Sequence, residues 1–365
     1  MGLPDEGNYH FHRRATDWDA VRERIISHPH EASLRDVNRG DLPLKIALEN
    51  KSMPIPESVL KSLLAAYPHA LDDWVFNYAC SMPHTTVEVI AVLLDTDPSL
   101  VFRTDIHRSL PIHTAAGFGN VEIARFLIKK YPDCLSVRDD ANRLPLHNAC
   151  RWGSTLSVKL FLEEGIRYNV GGPNGAGGLF LKDIIGKTPL DRGVDRLKKL
   201  ESDSVALQNL TLCSAVAARV QNDNMESKEE LPPSLFIIQA LIDFVIQVDR
   251  MFPHRYRETW RELFRTLLST DLDRKVAKVL DSSGSLLFHY AAAKGLTLAK
   301  GLGEILEAYP LALYTRGNPD IEKLPNVIYV LRNSRGLEKV YDVLLNVPYL
   351  LDSGAKSILV DSLIA

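Results

Sequence analysis

Apolar and small residues recur along this chain with helical spacing, and the pattern is repeated. The segment Leu-Pro-Ile-His-Thr-Ala-Ala-Gly-Phe-Gly begins at Leu110 and returns as Leu-Pro-Leu-His-Asn-Ala-Cys-Arg-Trp-Gly from Leu144, 34 residues later. A period of about 20 to 50 residues is typical of stacked supersecondary units, each of which buries its apolar face against its neighbours. The sequence therefore predicts a repeat protein.

Each copy predicts two short helices. Pro111 or Pro145 begins the first helix, because a fixed φ and a missing N–H cost nothing at a first helical position. Gly119 or Gly153 ends it. The second helix, over residues 121–130, has apolar residues on two faces and stops before a proline. Small residues keep the first helix thin, so that a neighbour can approach closely: Ala115, Ala116, Ala149 and Cys150.

These copies resemble the ankyrin repeat, a β-turn followed by two antiparallel helices in about 33 residues with a Thr-Pro-Leu-His-x-Ala signature. Leu110 and Leu144 stand where that family has Thr, and the second helix ends in Tyr-Pro or Asp-Pro where the family usually turns on Gly. The chain is therefore similar to a divergent form. The resemblance implies an all-α fold, an ankyrin-repeat-like helical solenoid of about eight units with a Gly-rich insertion and degenerate central and C-terminal repeats.

The copies divide the chain into segments. Residues 1–12 predict a flexible N-terminus, and residues 13–168 predict an N-terminal repeat array that starts with a lone helix over 17–27. A Gly-rich run at 171–178 breaks the period and predicts a turn-rich, mobile insertion over 169–185. The remaining predicted segments are a further repeat at 186–220, an acidic linker at 221–231, a degenerate helical region at 232–282, C-terminal repeats at 283–351 and a capping tail at 352–365.

Composition narrows the class of protein. A chain of 365 residues exceeds one ordinary core, which favours two domains or an elongated array, and 45% hydrophobic residues indicate a globular chain. A formal charge of −3 does not indicate the basic surface that nucleic-acid binding needs. The first residues lack the apolar run of a signal peptide, and the most apolar stretch, 235–248, is too short to span a bilayer. We therefore expect a soluble monomer of the cytoplasm or the nucleus, without membrane attachment.

Three histidines invite a catalytic interpretation but recur too regularly for a single active site. His113, His147 and His289 share one repeat position, and the pattern supplies no base with an orienting partner. The resemblance implies that they tie neighbouring loops together. His10 and His12 lack the partner cluster that a metal needs, and the four cysteines have neither zinc nor disulfide spacing. We expect no catalytic residue, metal or cofactor.

Two further motifs have a structural explanation beside the functional one. The segment Gly186-Lys187-Thr188 is similar to the end of a phosphate-binding loop, but Leu181 stands where that motif needs Gly. A proline follows directly, so the segment is better explained as the opening of a repeat. The helix around Trp260 is amphipathic, and its apolar face favours the core over docking into a partner groove.

The resemblance also implies where partner contacts lie. In the ankyrin family the hairpin tips, and the two residues before the glycine that ends the first helix, line a concave surface. Those positions that we expect to bind a partner are Thr104, Ile106, His107, Ser109, Phe118, Arg138, Asp140, Arg143, Arg151 and Trp152. Aromatic residues ringed by arginines are typical of an interface centre. The alternative is that Phe118 and Trp152 pack on each other or on the Gly-rich insertion.

The repeat pattern predicts a non-catalytic function. Each unit contacts only its neighbours, so a stack offers an extended surface to a protein partner instead of a deep pocket. We therefore expect an interaction scaffold or adaptor, whose partner the sequence does not identify. The alternative is a hydrolase or transferase with a site in residues 221–282, where His254 is the one histidine. Nucleic-acid binding would need a basic stripe, and the tips mix Asp with Arg.

Overall fold

The structure is a computed structural model of the chain. It describes residues 17–36, 39–51, 53–118, 120–172, 175–199, 204–222, 232–251, 256–269, 275–281, 285–296, 300–309 and 312. Within these ranges the regular elements are α-helices and short 3-10 turns without strands, and Leu280 and Leu286 form an isolated bridge. The all-α prediction is confirmed. The predicted N-terminus, most of the acidic linker, most of the C-terminal repeats and the capping tail lie outside the described residues.

The chain divides into two compact units, Met1–Glu201 and Ser202–Ala365. In the described part of the first unit the α-helices are α1 (Trp18–Ser27), α2 (Pro43–Leu48), α3 (Glu57–Ala66), α4 (Asp73–Ser81), α5 (Val87–Thr96), α6 (Pro111–Phe118), α7 (Val121–Lys130), α8 (Pro145–Trp152), α9 (Thr155–Arg167) and α10 (Pro189–Lys199).

The helices of the first unit form two rows. In the inner row α4 packs on α6, α6 on α8 and α8 on α10. In the outer row α1 packs on α3, and α5, α7 and α9 follow in the same order. Each of α2, α4, α6 and α8 also packs against the outer helix that comes next in the chain. This stack of helix pairs is the ankyrin-like solenoid that the sequence predicts.

Local sequence sets the helix ends. Asp17, Asn120 and Ser154 cap the N-termini of α1, α7 and α9, each accepting a backbone N–H from the first turn. Proline occupies the first position of the inner helices α2, α6, α8 and α10. Gly153 ends α8 with φ −74°. Glycine is needed there for close approach, because a Cβ would lie 2.7 Å from the carbonyl oxygen of Ala116.

The Gly-rich segment packs against α9. Residues 175–178 are buried, and 176–178 form a 3-10 turn in which Gly177 has φ +68°. A Cβ built on Gly165 would lie 2.6 Å from the carbonyl oxygen of Gly177, so two backbones meet directly at this point. Residues 175–178 therefore form a packed turn, and the mobility of the insertion stays a prediction.

The described part of the second unit is mainly helical. Its helices are α11 (Ser204–Asn222), α12 (Pro233–Met251), α13 (Arg257–Leu267), α14 (Leu287–Lys294) and α15 (Leu302–Ala308). α11 packs on α12 and α13, and α14 packs on α12 and α15. The apolar face of α13 is buried in the core, as the sequence predicts, with Trp260 at 2% exposure and Phe264 at 0%.

The thiols of this protein are structural. All four cysteines, Cys80, Cys134, Cys150 and Cys213, are buried. Burial raises the pKa of Cys134 to about 12 and raises that of Cys80 as well, so these thiols stay protonated and unreactive. Of the helices in the described part of the chain, none combines the length and apolarity needed to cross a membrane.

Candidate protein-interaction surface

Three hairpin tips of the first unit share one turn. Asp105, Asp139 and Asp183 begin the tips, and each carboxylate accepts the backbone N–H groups two and four residues later at 2.8 to 3.0 Å. Each of these aspartates also donates its own N–H to the carbonyl four residues later. An aspartate that hydrogen-bonds the following backbone favours a tight turn. The Asp therefore fixes the conformation of each tip.

Neighbouring tips are hydrogen-bonded to one another. The N–H of Asp140 donates to the carbonyl of His107 at 3.0 Å, and the N–H of Ile184 donates to the carbonyl of Ala141 at 2.9 Å. The three tips therefore form one continuous edge, the tip edge, above the inner row of helices.

Buried histidines connect the inner helices to the tips. Nδ1 of His113 accepts the N–H of Leu110 at 3.2 Å, and Nε2 lies 3.1 Å from the carbonyl oxygen of Arg143 in the next tip. His147 and His289 hold the same position and accept the N–H three residues earlier. Nε2 of His289 lies 3.2 Å from the carbonyl oxygen of Ala312, so His113 and His289 each connect two loops, whereas the hydrogen bond of His147 lies within its own loop.

We expect acid to destabilise the protein through these rings. Burial lowers the pKa of His113 and His289, and it lowers that of His147 to about 4. A His with a depressed folded pKa takes up its proton more readily in the unfolded chain, so stability is lost as the pH falls below about 6.5. His147 alone should account for a loss of about 2 kcal/mol at pH 5.

The measurement is the midpoint of urea unfolding, monitored by circular dichroism, at pH 7.5 and at pH 5. His147→Asn should shrink the difference between the two midpoints, because the variant has no titrating ring at this buried position. The same substitution at His69, which lies on the surface, is the control. A His147→Asn variant with the full wild-type pH dependence would contradict the prediction.

The predicted contact residues of the tips lie in different environments. Ile106 is 92% exposed, and Thr104, His107 and Asp140 are also exposed. Ser109 is 8% exposed, and its N–H and carbonyl both serve the turn. The exposed tip residues can therefore contact a partner, whereas Ser109 is part of the turn itself.

The two tip arginines are bound within the tips. Nε of Arg143 donates to the Asp139 carboxylate at 2.7 Å, and Nη1 of Arg138 donates to the carbonyl of Lys182 at 3.2 Å. Both side chains are half-buried. They therefore stabilise the tip edge, and they are less available to a partner than their residue type implies.

The two predicted aromatic residues are exposed on the inner row. Phe118 ends α6 and is 69% exposed, and Trp152 ends α8 and is 53% exposed. Together they line a groove of about 620 Å³, the aromatic groove, to which Thr114 and Asn148 contribute polar groups. Their exposure favours an open surface over the alternative of packing on the Gly-rich insertion.

A second groove, of about 290 Å³, lies between α8 and α10. Trp152 lines this groove as well, so the two grooves are adjacent. Its other lining residues are Arg151, Lys187, Asp195, Arg196 and Lys199, and we call it the basic groove. The guanidinium of Arg151 lies over the Trp152 ring, 4.6 Å from its centroid. Arginine therefore meets the exposed aromatic directly, which is typical of an interface centre.

The third tip and the basic groove were not predicted. Ile184 and Ile185, at 68% and 63% exposure, occupy that tip, but the Gly-rich insertion moves it out of the period that relates the first two tips. Lys187 and Arg196 follow the same insertion. The aspartate that opens each turn, Asp183 here, is the pattern that could have found this tip.

The segment Gly186-Lys187-Thr188, which is similar to the end of a phosphate-binding loop, leads directly into α10. Gly186 has φ +78° within the third tip. The carboxylate of Asp191 accepts the N–H of Thr188 at 2.9 Å, and the N–H of Asp191 donates to Oγ1 of Thr188 at 3.2 Å. This reciprocal cap opens the helix of a repeat, as predicted.

Three histidines of the sequence analysis have no described position. His254, on which the enzyme alternative depends, lies outside the described residues, and so do His10 and His12. Within the ranges that the structure describes, His, Cys, Asp and Glu form no group of three or more that could hold a metal ion.

Comparison with known proteins identifies the repeat. The family model for ankyrin repeats matches residues 76–171, in three copies. This range runs from within α4 to four residues past the end of α9, and it includes two tips and both exposed aromatic residues. A search of curated proteins finds no match to the chain.

Proposed function

We propose, on the premise that residues 76–171 of this chain are three ankyrin repeats, that the protein is a non-catalytic scaffold or adaptor. Ankyrin repeats are generally protein–protein interaction modules. The partner binds the inner face of the first unit, along the tip edge and the aromatic groove. The observation that supports this most directly is the exposed pair Phe118 and Trp152 on one groove.

Exposure of these aromatics is unfavourable in a protein that binds nothing. Large aromatic side chains gain about 1.5 to 3 kcal/mol when they are fully buried, and a contiguous exposed patch therefore indicates a contact surface. Ile106, Ile184 and Ile185 add exposed apolar side chains on the tip edge above the groove. Both features lie on the face that the repeat leaves free of packing.

Alanine substitutions at the two aromatics test the proposal. A partner captured from cell extract and then purified should bind Phe118→Ala or Trp152→Ala more weakly by a factor on the order of 30, because interface centres lose about 2 kcal/mol on truncation. Binding is measured by isothermal titration calorimetry with the full chain.

The matched control is Phe102→Ala. Phe102 is 54% exposed and follows α5, where its ring meets that of Tyr131 edge-to-face at 5.4 Å. This variant should bind the partner normally. Binding that survives Phe118→Ala and Trp152→Ala, with circular dichroism unchanged, would remove the proposal.

The proposal includes the compartment. Four buried thiols are typical of a protein that works where cysteines stay reduced. We therefore infer that the scaffold acts in the cytoplasm or the nucleus. Fluorescence microscopy of the tagged chain tests this, and a secreted or lumenal distribution would contradict it.

A further inference from the structure

The turn carboxylate of the first tip differs from those of the next two tips. In the second tip Oδ2 of Asp139 accepts Nε of Arg143 at 2.7 Å. In the third tip Oδ2 of Asp183 accepts Nε of Arg192 at the same distance of 2.7 Å. Oδ1 of Asp105 accepts two N–H groups of its turn, whereas its Oδ2 has no hydrogen-bond partner among the described residues. Asp105 lines the aromatic groove and is half-buried, so it brings a free acceptor to this groove.

Arg143 brings free donors to the same groove. Its Nε is bound to Asp139, but neither of its Nη groups donates to another residue that the structure describes. These two groups carry most of the N–H bonds of a guanidinium. The Arg143 side chain is 21% exposed, and its partner Asp139 is fully buried, so the ion pair holds the guanidinium in place. The donors that remain are therefore fixed at the wall of the groove.

The charges that line the aromatic groove have both signs. Among the described lining residues, Asp105 is the one carboxylate and Arg143 is the one guanidinium. His113 also lines the groove, but burial lowers its pKa, so the ring is uncharged at neutral pH. An acidic segment would meet Asp105 and a basic segment would meet Arg143, and juxtaposed like charges are unfavourable. The groove therefore favours a segment without charged side chains.

A polypeptide backbone has the groups that match these free atoms. Each peptide unit carries one N–H donor and one C=O acceptor, and it has no net charge. The N–H suits Oδ2 of Asp105, and the C=O suits the Nη groups of Arg143. Phe118 and Trp152 add apolar walls, and the volume of about 620 Å³ accommodates a large apolar side chain.

We propose that the aromatic groove binds an extended, uncharged segment of a partner protein, in which a large apolar side chain packs against the two aromatic rings while the backbone beside it donates to Asp105 and accepts from Arg143. This rests on the proposed protein-binding function and names the chemical class of the bound segment. Backbone hydrogen bonds give affinity without regard to sequence, and the aromatic walls select the apolar side chain.

The test uses three fluorescent peptides of equal length, in which a central Phe is flanked by Gln, by Glu or by Lys. Fluorescence anisotropy is measured on the full chain. The Gln peptide should bind more tightly than the other two, and NaCl should change its affinity little, because the peptide has no charge to screen. A Gln peptide that is methylated on the amide nitrogens of Phe and of the next residue should bind about tenfold more weakly, because it lacks the donor for Asp105.

Asp105→Asn tests the backbone contact from the side of the protein. Asn keeps one acceptor oxygen for the turn and replaces Oδ2 with an amide donor. This variant should bind the Gln peptide about tenfold more weakly and should bind the methylated peptide as the wild type does. Asp133→Asn is the matched control, since it removes the same charge from an exposed position in the 3-10 turn after α7. It should bind all peptides like the wild type.

Three results overturn the inference. These are tighter binding of the Glu or Lys peptide, equal affinity for the methylated and unmethylated Gln peptides, and failure of the Gln peptide to bind. An Asp105→Asn variant that binds the Gln peptide normally also overturns it. If the partner captured from cell extract then still depends on Phe118 and Trp152, the proposed protein-binding function stands and only the recognition of an uncharged backbone fails.

Discussion

Gly165→Ala is expected to destabilise the first unit by about 3 kcal/mol, because its Cβ would overlap a packed backbone. Alanine usually stabilises a helix over glycine by about 1 kcal/mol. Here the new Cβ would lie 2.6 Å from the carbonyl oxygen and 2.8 Å from the Cα of Gly177. Both atoms belong to the backbone of the buried 3-10 turn, which has to move as a whole. The clash therefore outweighs the gain in helix propensity.

Gly193→Ala is the matched control for this substitution. Gly193 is also buried within a helix of the first unit, but a Cβ there would meet its nearest neighbour, the carbonyl oxygen of Cys150, at 3.9 Å. We expect this variant to keep or gain stability, by up to about 1 kcal/mol. Urea unfolding followed by circular dichroism compares both variants with the wild type. A Gly165→Ala protein as stable as Gly193→Ala would show that the Gly-rich turn does not pack on α9.

Asp183→Ala is expected to cost about 3 to 5 kcal/mol, because it leaves a buried guanidinium without its partner. The Asp183 side chain is fully buried, and its Oδ2 accepts Nε of Arg192 at 2.7 Å. Its Oδ1 accepts the N–H groups of Ile185 and Lys187 at 3.0 and 2.9 Å. One substitution therefore removes an ion pair and releases the turn of the third tip.

The protonation of Asp183 gives the same interaction a pH dependence. Burial by itself would raise the pKa of Asp183, but the N–H groups of Lys187 and Ile185 and the Arg192 side chain outweigh it and hold the pKa below its usual value. A depressed folded pKa contributes stability that is present above the unfolded value of about 3.9 and lost as the pH falls through the folded pKa. Asp183→Ala should therefore lose its effect in strong acid.

Asp191→Ala provides the comparison for the cost of a surface aspartate. Asp191 is exposed and caps α10 through Thr188, so its loss should cost about 1 kcal/mol. Thermal and urea unfolding of both variants at pH 7 measure the difference. Equal destabilisation by the two substitutions would contradict the importance of burial at Asp183.

The inner and outer helices were predictable because their determinants are local. The sequence predicts α7 over residues 121–130, and the structure has it as Val121–Lys130. Asn120 caps its N-terminus and a proline follows its C-terminus, so nearest neighbours in the sequence fix both ends. The role of the loop histidines was predictable because they share one repeat position. His113, His147 and His289 each accept the backbone N–H three residues earlier.

The candidate site was predictable only in part. Phe118 and Trp152 follow from the repeat, because their position just before the helix-ending glycine places them outside the packing of each unit. The tips were less predictable, since Ser109 is buried in the turn and Arg138 and Arg143 are bound within the tips. Whether a tip side chain is open to a partner depends on hydrogen bonds to neighbouring tips, and these are not encoded within a single repeat.

The sequence by itself determined that this protein is built from helix pairs, because proline, glycine and apolar spacing act over a few residues. Only the tertiary structure decided that the Gly-rich segment packs on α9 and that the third tip continues the tip edge. It also decided that Arg151, Lys187, Arg196 and Lys199 share one groove. These features join residues far apart in the chain. The Gly-rich insertion interrupts the repeat period, so the sequence does not show which residues come together across it.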